Sequence, residues 1–338
     1  LNRKLAIALL VFANVMWGSS YAVAKVALEE LPPPLLGALR ITLASCLIWL
    51  VLLWRARRPS FVPARGAGET LASRLSFVEQ GAQRQNIQQG DVLKMLALGF
   101  LGLAVDYLLA YWGVSMSTAT DASLMIIGEV IFTTLLSVWL LGEQLGRRKL
   151  LGIATGIAGV VTLVLGGVSS GASVAGGLAR AAGDLLILGG LLGASFYGVL
   201  GARLSRKYSP LRMLGYAYTG AMLLWAPLLL WYIASGTFPA ISGRAILGVV
   251  YLAVVMSFIC QLVWFHVLRY IGANTGAITL FVQPLVGSLL GLLVLHEPLT
   301  PTLVAGGALI FAALYFTSIP GRKRASGEYQ LPEAPIAE

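Results

Sequence analysis

The chain has 338 residues, 58% hydrophobic and only 11% charged, with 24 Lys and Arg against 14 Asp and Glu for a net charge of +10; its mean hydropathy is +0.83. Soluble globular domains carry roughly 25% charged residues, so an ordinary soluble fold is excluded and an integral membrane protein is indicated. The positive charge does not point to nucleic acid, because the basic residues sit in short clusters beside apolar runs, where they orient a chain in a membrane.

Apolar runs near 20 residues, each able to cross a hydrocarbon core of about 30 Å, follow one another along the chain. Reading helix ends from Pro, Gly and charge clusters predicts spans at about 5–28, 35–54, 93–113, 119–141, 150–167, 184–204, 211–233, 245–267, 274–295 and 302–319. The first follows Arg3 and Lys4 as a signal peptide would, but it runs about 24 residues into "EELPPP" without a small-residue cleavage site, and it reads as a spanning helix. Between spans two and three, residues 55–92 hold the polar, Gln-rich stretch "GETLASRLSFVEQGAQRQNIQQGD", expected as a cytoplasmic loop, with a regulatory or lipid-binding segment as the alternative. Residues 320–338 read as a disordered cytoplasmic tail with a basic start. Cys46 and Cys260 lie inside apolar runs and read as small core residues, with no metal or redox role.

The termini and the connections 2–3, 4–5, 6–7 and 8–9 hold or adjoin 20 of the 24 basic residues, while the other connections hold only Arg180 and Arg244. The positive-inside rule then places both termini in the cytoplasm. The two halves also resemble each other. At an offset of 154, "LLGEQLGRRKLLGIATGIAGVV" from Leu140 meets "VLHEPLTPTLVAGGALIFAALY" from Val294, which sets Glu143 on Glu297, Glu129 on Gln283 and Tyr107 on Gln261; at an offset of 175, "GSSYAV" from Gly18 meets "GASFYGV" from Gly193. The expected architecture is all-α integral membrane: ten transmembrane helices as two inverted five-helix repeats, residues 1–167 and 180–319. Five spans per repeat is odd, so the second repeat is inserted upside down, the symmetry of alternating-access carriers with a central site between the halves.

"WGSSYAVAKVALEELPPPLLGALR" in the first two spans and "GANTGAITLFVQPLVGSLLGLLVLHEPLTPTLVAGGALIF" in the last two resemble the EamA-type repeats of the drug/metabolite transporter superfamily. Within it the ten-helix bacterial exporters of amino acids, with aromatic amino acids and paraquat among their cargo, are the most similar. The resemblance covers residues 5–319 and implies a ten-helix bundle in the bacterial inner membrane that exports small metabolites. The long loop after span two departs from the family pattern.

At 1.5 Å per residue, Trp17 and Gly18 lie roughly 18 Å from the inner end of span one, near the midplane, and Ser195 and Gln283 come out at a similar depth. Trp17 reads either as an aromatic wall of the cargo path or as packing through Gly18. Asn14, Trp17 and Tyr21 are three and four apart and form one stripe with Ser20 beside it; Tyr107 and Tyr111 form a second, and Gln261 and Trp264 are its counterpart. These are candidates to line a cavity, with polar glue between helices as the competing reading.

Glu129 is the one acid between the ends of "DASLMIIGEVIFTTLLSVWLLGE", in the run Ala122–Gly142, about 15 Å from the outer side, and Arg40 lies about 9 Å in from that side. Three roles are open to Glu129: an ion pair with Arg40, a neutral carboxylic acid hydrogen-bonded in the bundle, or a titrating group that couples export to proton entry. His266 and His296 read as packing and solvated residues. HExxH, P-loop and GxSxG motifs are absent, which argues against an enzyme or an ATP-driven pump and implies no cofactor. The expectation is a monomeric secondary transporter in contact with lipid, carrying amino acids or related metabolites. A passive channel, or a carrier of cationic drugs or nucleotide sugars, is the alternative.

Overall fold

The computed structural model describes residues 3–57, 87–141, 146–170, 174–268, 279–280 and 282–318. Glu143, Arg269 and most of the expected loop and tail lie outside them. No strand occurs among the described residues. The helices are α1 (Arg3–Ala27), α2 (Pro33–Arg57), α3 (Gln89–Met116), α4 in two pieces (Ala119–Leu124 and Ile127–Leu141), α5 (Arg147–Ser170), α6 (Val174–Lys207), α7 (Pro210–Ala234), α8 (Gly243–Leu268), α9 (Val282–Leu293) and α10 (Pro301–Ser318). This is an all-helical membrane fold: α1 to α8 are long and apolar enough to cross a bilayer, and α9 and α10 are shorter apolar helices.

Side-chain caps set several starts. Thr118 accepts from the Asp121 N–H ahead of α4, Ser209 from Arg212 N–H ahead of α7, and Ser242 from Ala245 N–H ahead of α8. Two boundaries differ from expectation. Helix α6 begins at Val174 rather than near residue 184, because the polar residues that look like a connection are held inside the bundle: Arg180 pairs with Asp121 at 2.6 Å, and Asp184 accepts from the Ser117 hydroxyl. Helix α4 is interrupted at Met125–Ile126. Both α3 and α8 contain π-helical turns, Phe100–Val105 and Tyr251–Cys260, where an extra residue per turn re-aims the side chains beyond it.

The packing crosses between the halves. Helix α1 lies on α9 and α8, α6 lies on α4 and α3, α2 meets α7, and α5 meets α10. Close approaches use glycine: a Cβ on Gly18 would stand 2.7 Å from the Gln283 carbonyl oxygen, and one on Gly113 would stand 2.5 Å from that of Gly183. The runs "GIATGIAG" and "LGGLLGAS" serve the same end, Gly159 against Gly306 and Gly193 against Leu101.

Candidate cavity between the two halves

A cavity of about 140 Å³ lies among α1, α2, α3, α4, α6, α8 and α9, with room for on the order of ten waters. Of the residues singled out from the sequence, Trp17, Ser20, Tyr21, Arg40, Tyr107, Tyr111, Glu129, Gln261, Trp264 and Gln283 line it. Trp17 meets Trp264 edge to face at 5.3 Å, while Tyr107 and Tyr111 stack at 6.1 Å. An aromatic wall therefore bounds the cavity on the α1, α8 and α3 sides, with the Gln261 and Gln283 amides between.

Asn14 and Ser195 are fully buried beside the cavity and not on it. The Asn14 amide donates to Leu10 O at 2.7 Å and to the Thr279 hydroxyl at 2.9 Å, and its oxygen accepts from Gln283 Nε2 at 2.6 Å. Asn14 thus orients Gln283, which does reach the cavity. Ser195 Oγ donates to Leu191 O at 2.8 Å and to Glu129 O at 3.2 Å, joining α6 to α4 just behind Glu129.

Of the three roles open to Glu129, the ion pair with Arg40 is not formed. Arg40 is 5% exposed, and its guanidinium donates from Nε to Ser257 Oγ at 2.7 Å, from Nη1 to the Tyr111 hydroxyl at 2.6 Å and from Nη2 to the Tyr107 hydroxyl at 3.1 Å. Its Cζ lies 4.0 Å from the centre of the Tyr107 ring. Ser257 belongs to the π-helical turn of α8, and its carbonyl accepts from the Tyr218 hydroxyl. Depth along the membrane normal is compatible with the pair, but direction around the bundle decides: α2 packs on α3 and α8 and turns Arg40 to them, while Glu129 stands on α4 against α6.

Sequence reasoning missed Asp106. It precedes Tyr107 on α3, lines the same cavity and fits against α6 because Gly190 has no side chain there; a Cβ would stand 2.8 Å from Asp106 Oδ1. The signal was available, an acid within the apolar run "LGLAVDYLLAYWG". Among the described residues no hydrogen bond or ion pair engages the carboxyl group of Asp106 or of Glu129, so the cavity wall carries two acids and Arg40.

A second polar cluster, also missed, sits where α1 ends and α4 and α6 begin. Lys25 donates to the carbonyls of Val114 at 2.7 Å and Ser117 at 2.5 Å, and Glu297 caps α4 through the N–H groups of Ala119 at 2.6 Å and Thr120 at 2.8 Å.

The EamA-like transporter family model matches residues 4–165 and again 181–319. An uncharacterized transporter of Archaeoglobus fulgidus is 25% identical over 316 residues, covering 92% of this chain and 96% of its own. The uncharacterized inner membrane transporter YedA of Escherichia coli K12 is 25% identical, with 95% and 91% covered, and the uncharacterized transporter YetK of Bacillus subtilis is 22% identical, with 91% and 84% covered. A solved structure is similar in fold, with a TM-score of 0.58 at 20% identity, 93% of this chain and 96% of that one being covered.

Proposed function

Because the chain belongs to the EamA-like transporter family, and is therefore a membrane transporter, we propose that it is a secondary transporter exporting small metabolites, foremost amino acids with aromatic or other apolar side chains. The observation that carries this reading is the cavity between the halves, where aromatic rings supply an apolar wall and Arg40, Asp106, Glu129 and two amides supply polar groups of both signs. Cargo reaches it alternately from each side as the halves rock. The partner exchange between halves supports this motion, since α1 with α9 in one place corresponds to α6 with α4 in the other.

In this reading the protein works as a monomer in the bacterial inner membrane with both termini cytoplasmic, as the basic connections favour. Glu129 is the group through which a proton gradient drives export, for it stands in the cavity with its carboxyl group unengaged. The test is counterflow of a radiolabelled amino-acid panel in proteoliposomes, with and without an imposed pH gradient, for the parent and Glu129→Gln. Saturable counterflow that persists in Glu129→Gln but no longer responds to the gradient is expected. Equal loss in both conditions would make Glu129 structural. Flux without saturation would indicate a channel, and no counterflow of any amino acid would sink the cargo assignment.

A further inference from the structure

Arg40 presents an electrostatic imbalance. A guanidinium that is 5% exposed ordinarily has a carboxylate on it, because a buried charge is costly unless paired. Here its three hydrogen-bond partners are the neutral hydroxyls of Tyr107, Tyr111 and Ser257. A guanidinium has five N–H groups; three are used, so one on each terminal nitrogen has no partner among the described residues. Those two belong to a side chain on the cavity wall. The hydroxyls hold the fork in place and the Tyr107 ring covers one face of it.

We infer that Arg40 is the seat for a carboxylate of the cargo, taken in the plane of the guanidinium by its two terminal nitrogens. A planar fork suits a carboxylate, and bound cargo supplies the hydrogen-bonded anion that the three neutral hydroxyls do not. Asp106, on the wall of the same cavity, then supplies an acceptor for the cargo's ammonium group. The inference rests on the proposed amino-acid cargo, and it adds which end of the molecule binds where.

Binding is followed by ligand-induced change in tryptophan fluorescence, since Trp17 and Trp264 lie on the cavity, using purified full-length protein and three probes: phenylalanine, phenethylamine, which lacks the carboxylate, and 3-phenylpropionate, which lacks the ammonium. Arg40→Gln should weaken phenylalanine by about 10- to 100-fold, the worth of a charged hydrogen-bonded contact. It should leave phenethylamine within about threefold. Arg40→Lys keeps the charge without the fork and should fall between; where Arg40→Gln fails to fold, the lysine variant carries the same comparison.

Equal weakening of phenylalanine and phenethylamine would assign Arg40 a structural role and overturn the inference, as would no change in either. Binding of 3-phenylpropionate but not phenylalanine, lost in Arg40→Gln, would keep the carboxylate seat and overturn the amino-acid reading. Phenethylamine as the sole binder would overturn the seat, and no binding of any probe would overturn both.

Discussion

At the scale of single residues, the groups that matter are those whose polar atoms have nowhere else to go. Asn14→Ala shows this, for it leaves the Gln283 amide without the acceptor that holds it. We expect a loss of about 1–2 kcal/mol, read as a lower midpoint in thermal unfolding of the purified protein, together with weakened cargo binding because Gln283 is no longer aimed. An unchanged midpoint would mean that Gln283 finds another acceptor. Glu30, between α1 and α2, clasps the start of α8 by accepting from the Ser242 hydroxyl at 2.6 Å and N–H at 2.8 Å. The hydroxyl bond first, and the N–H bond with it, hold the Glu30 carboxyl below its ordinary range. A lowered folded value means that the clasp contributes fully above the unfolded pKa of about 4.3 and is lost as pH falls through the lower folded value. The Ser242 amide should therefore keep its protection factor through mildly acid pH and lose it only below; in Glu30→Gln that pH dependence should vanish. Residue identity was partly legible in the sequence. Glu129 stands out as the one charged residue in the 21-residue run from Ala122 to Gly142, whereas Asp106 carries the same signal but is overshadowed by the tyrosines beside it.

At the scale of helices, boundaries and directions were harder to read than existence. Apolar runs mark each helix, but the early start of α6 is invisible while Arg180 and Asp184 look solvated, since Asp121 of α4 and Ser117 at the end of α3, which bond them, come from elsewhere in the chain. The π-helical turns are likewise unmarked in sequence, and they spoil any facing argument built on 3.6 residues per turn. They fall at related places, just ahead of Asp106 and Tyr107 on α3 and of Gln261 on α8. Helices α3 and α7 approach so closely that a Cβ on Gly220 would stand 2.0 Å from the Leu96 carbonyl oxygen. Backbone cannot swing aside as a side chain can, so Gly220→Ala should cost about 1–3 kcal/mol through overpacking. Gly90→Ala on α3, where nothing lies within 4 Å, should be neutral or slightly stabilising. Equal unfolding midpoints for the two variants would show that α3 and α7 separate at little cost.

At the scale of the whole molecule, the two halves keep a register in the sequence, and the family model matches residues 4–165 and again 181–319. What the repeat could not supply is the pattern of contacts, for similarity along a chain says nothing of which faces meet. Two of those contacts, α2 with α7 and α5 with α10, join a helix to its own counterpart in the other half. Each half by itself therefore leaves uncovered the very surfaces its twin would cover. The peptide link between α5 and α6 raises the effective concentration of one half near the other but carries none of the recognition. The protein is in this sense a two-subunit assembly written as one chain: residues 1–170 and 171–338, produced as separate polypeptides in the same membrane, should co-purify and recover transport, while either alone should not.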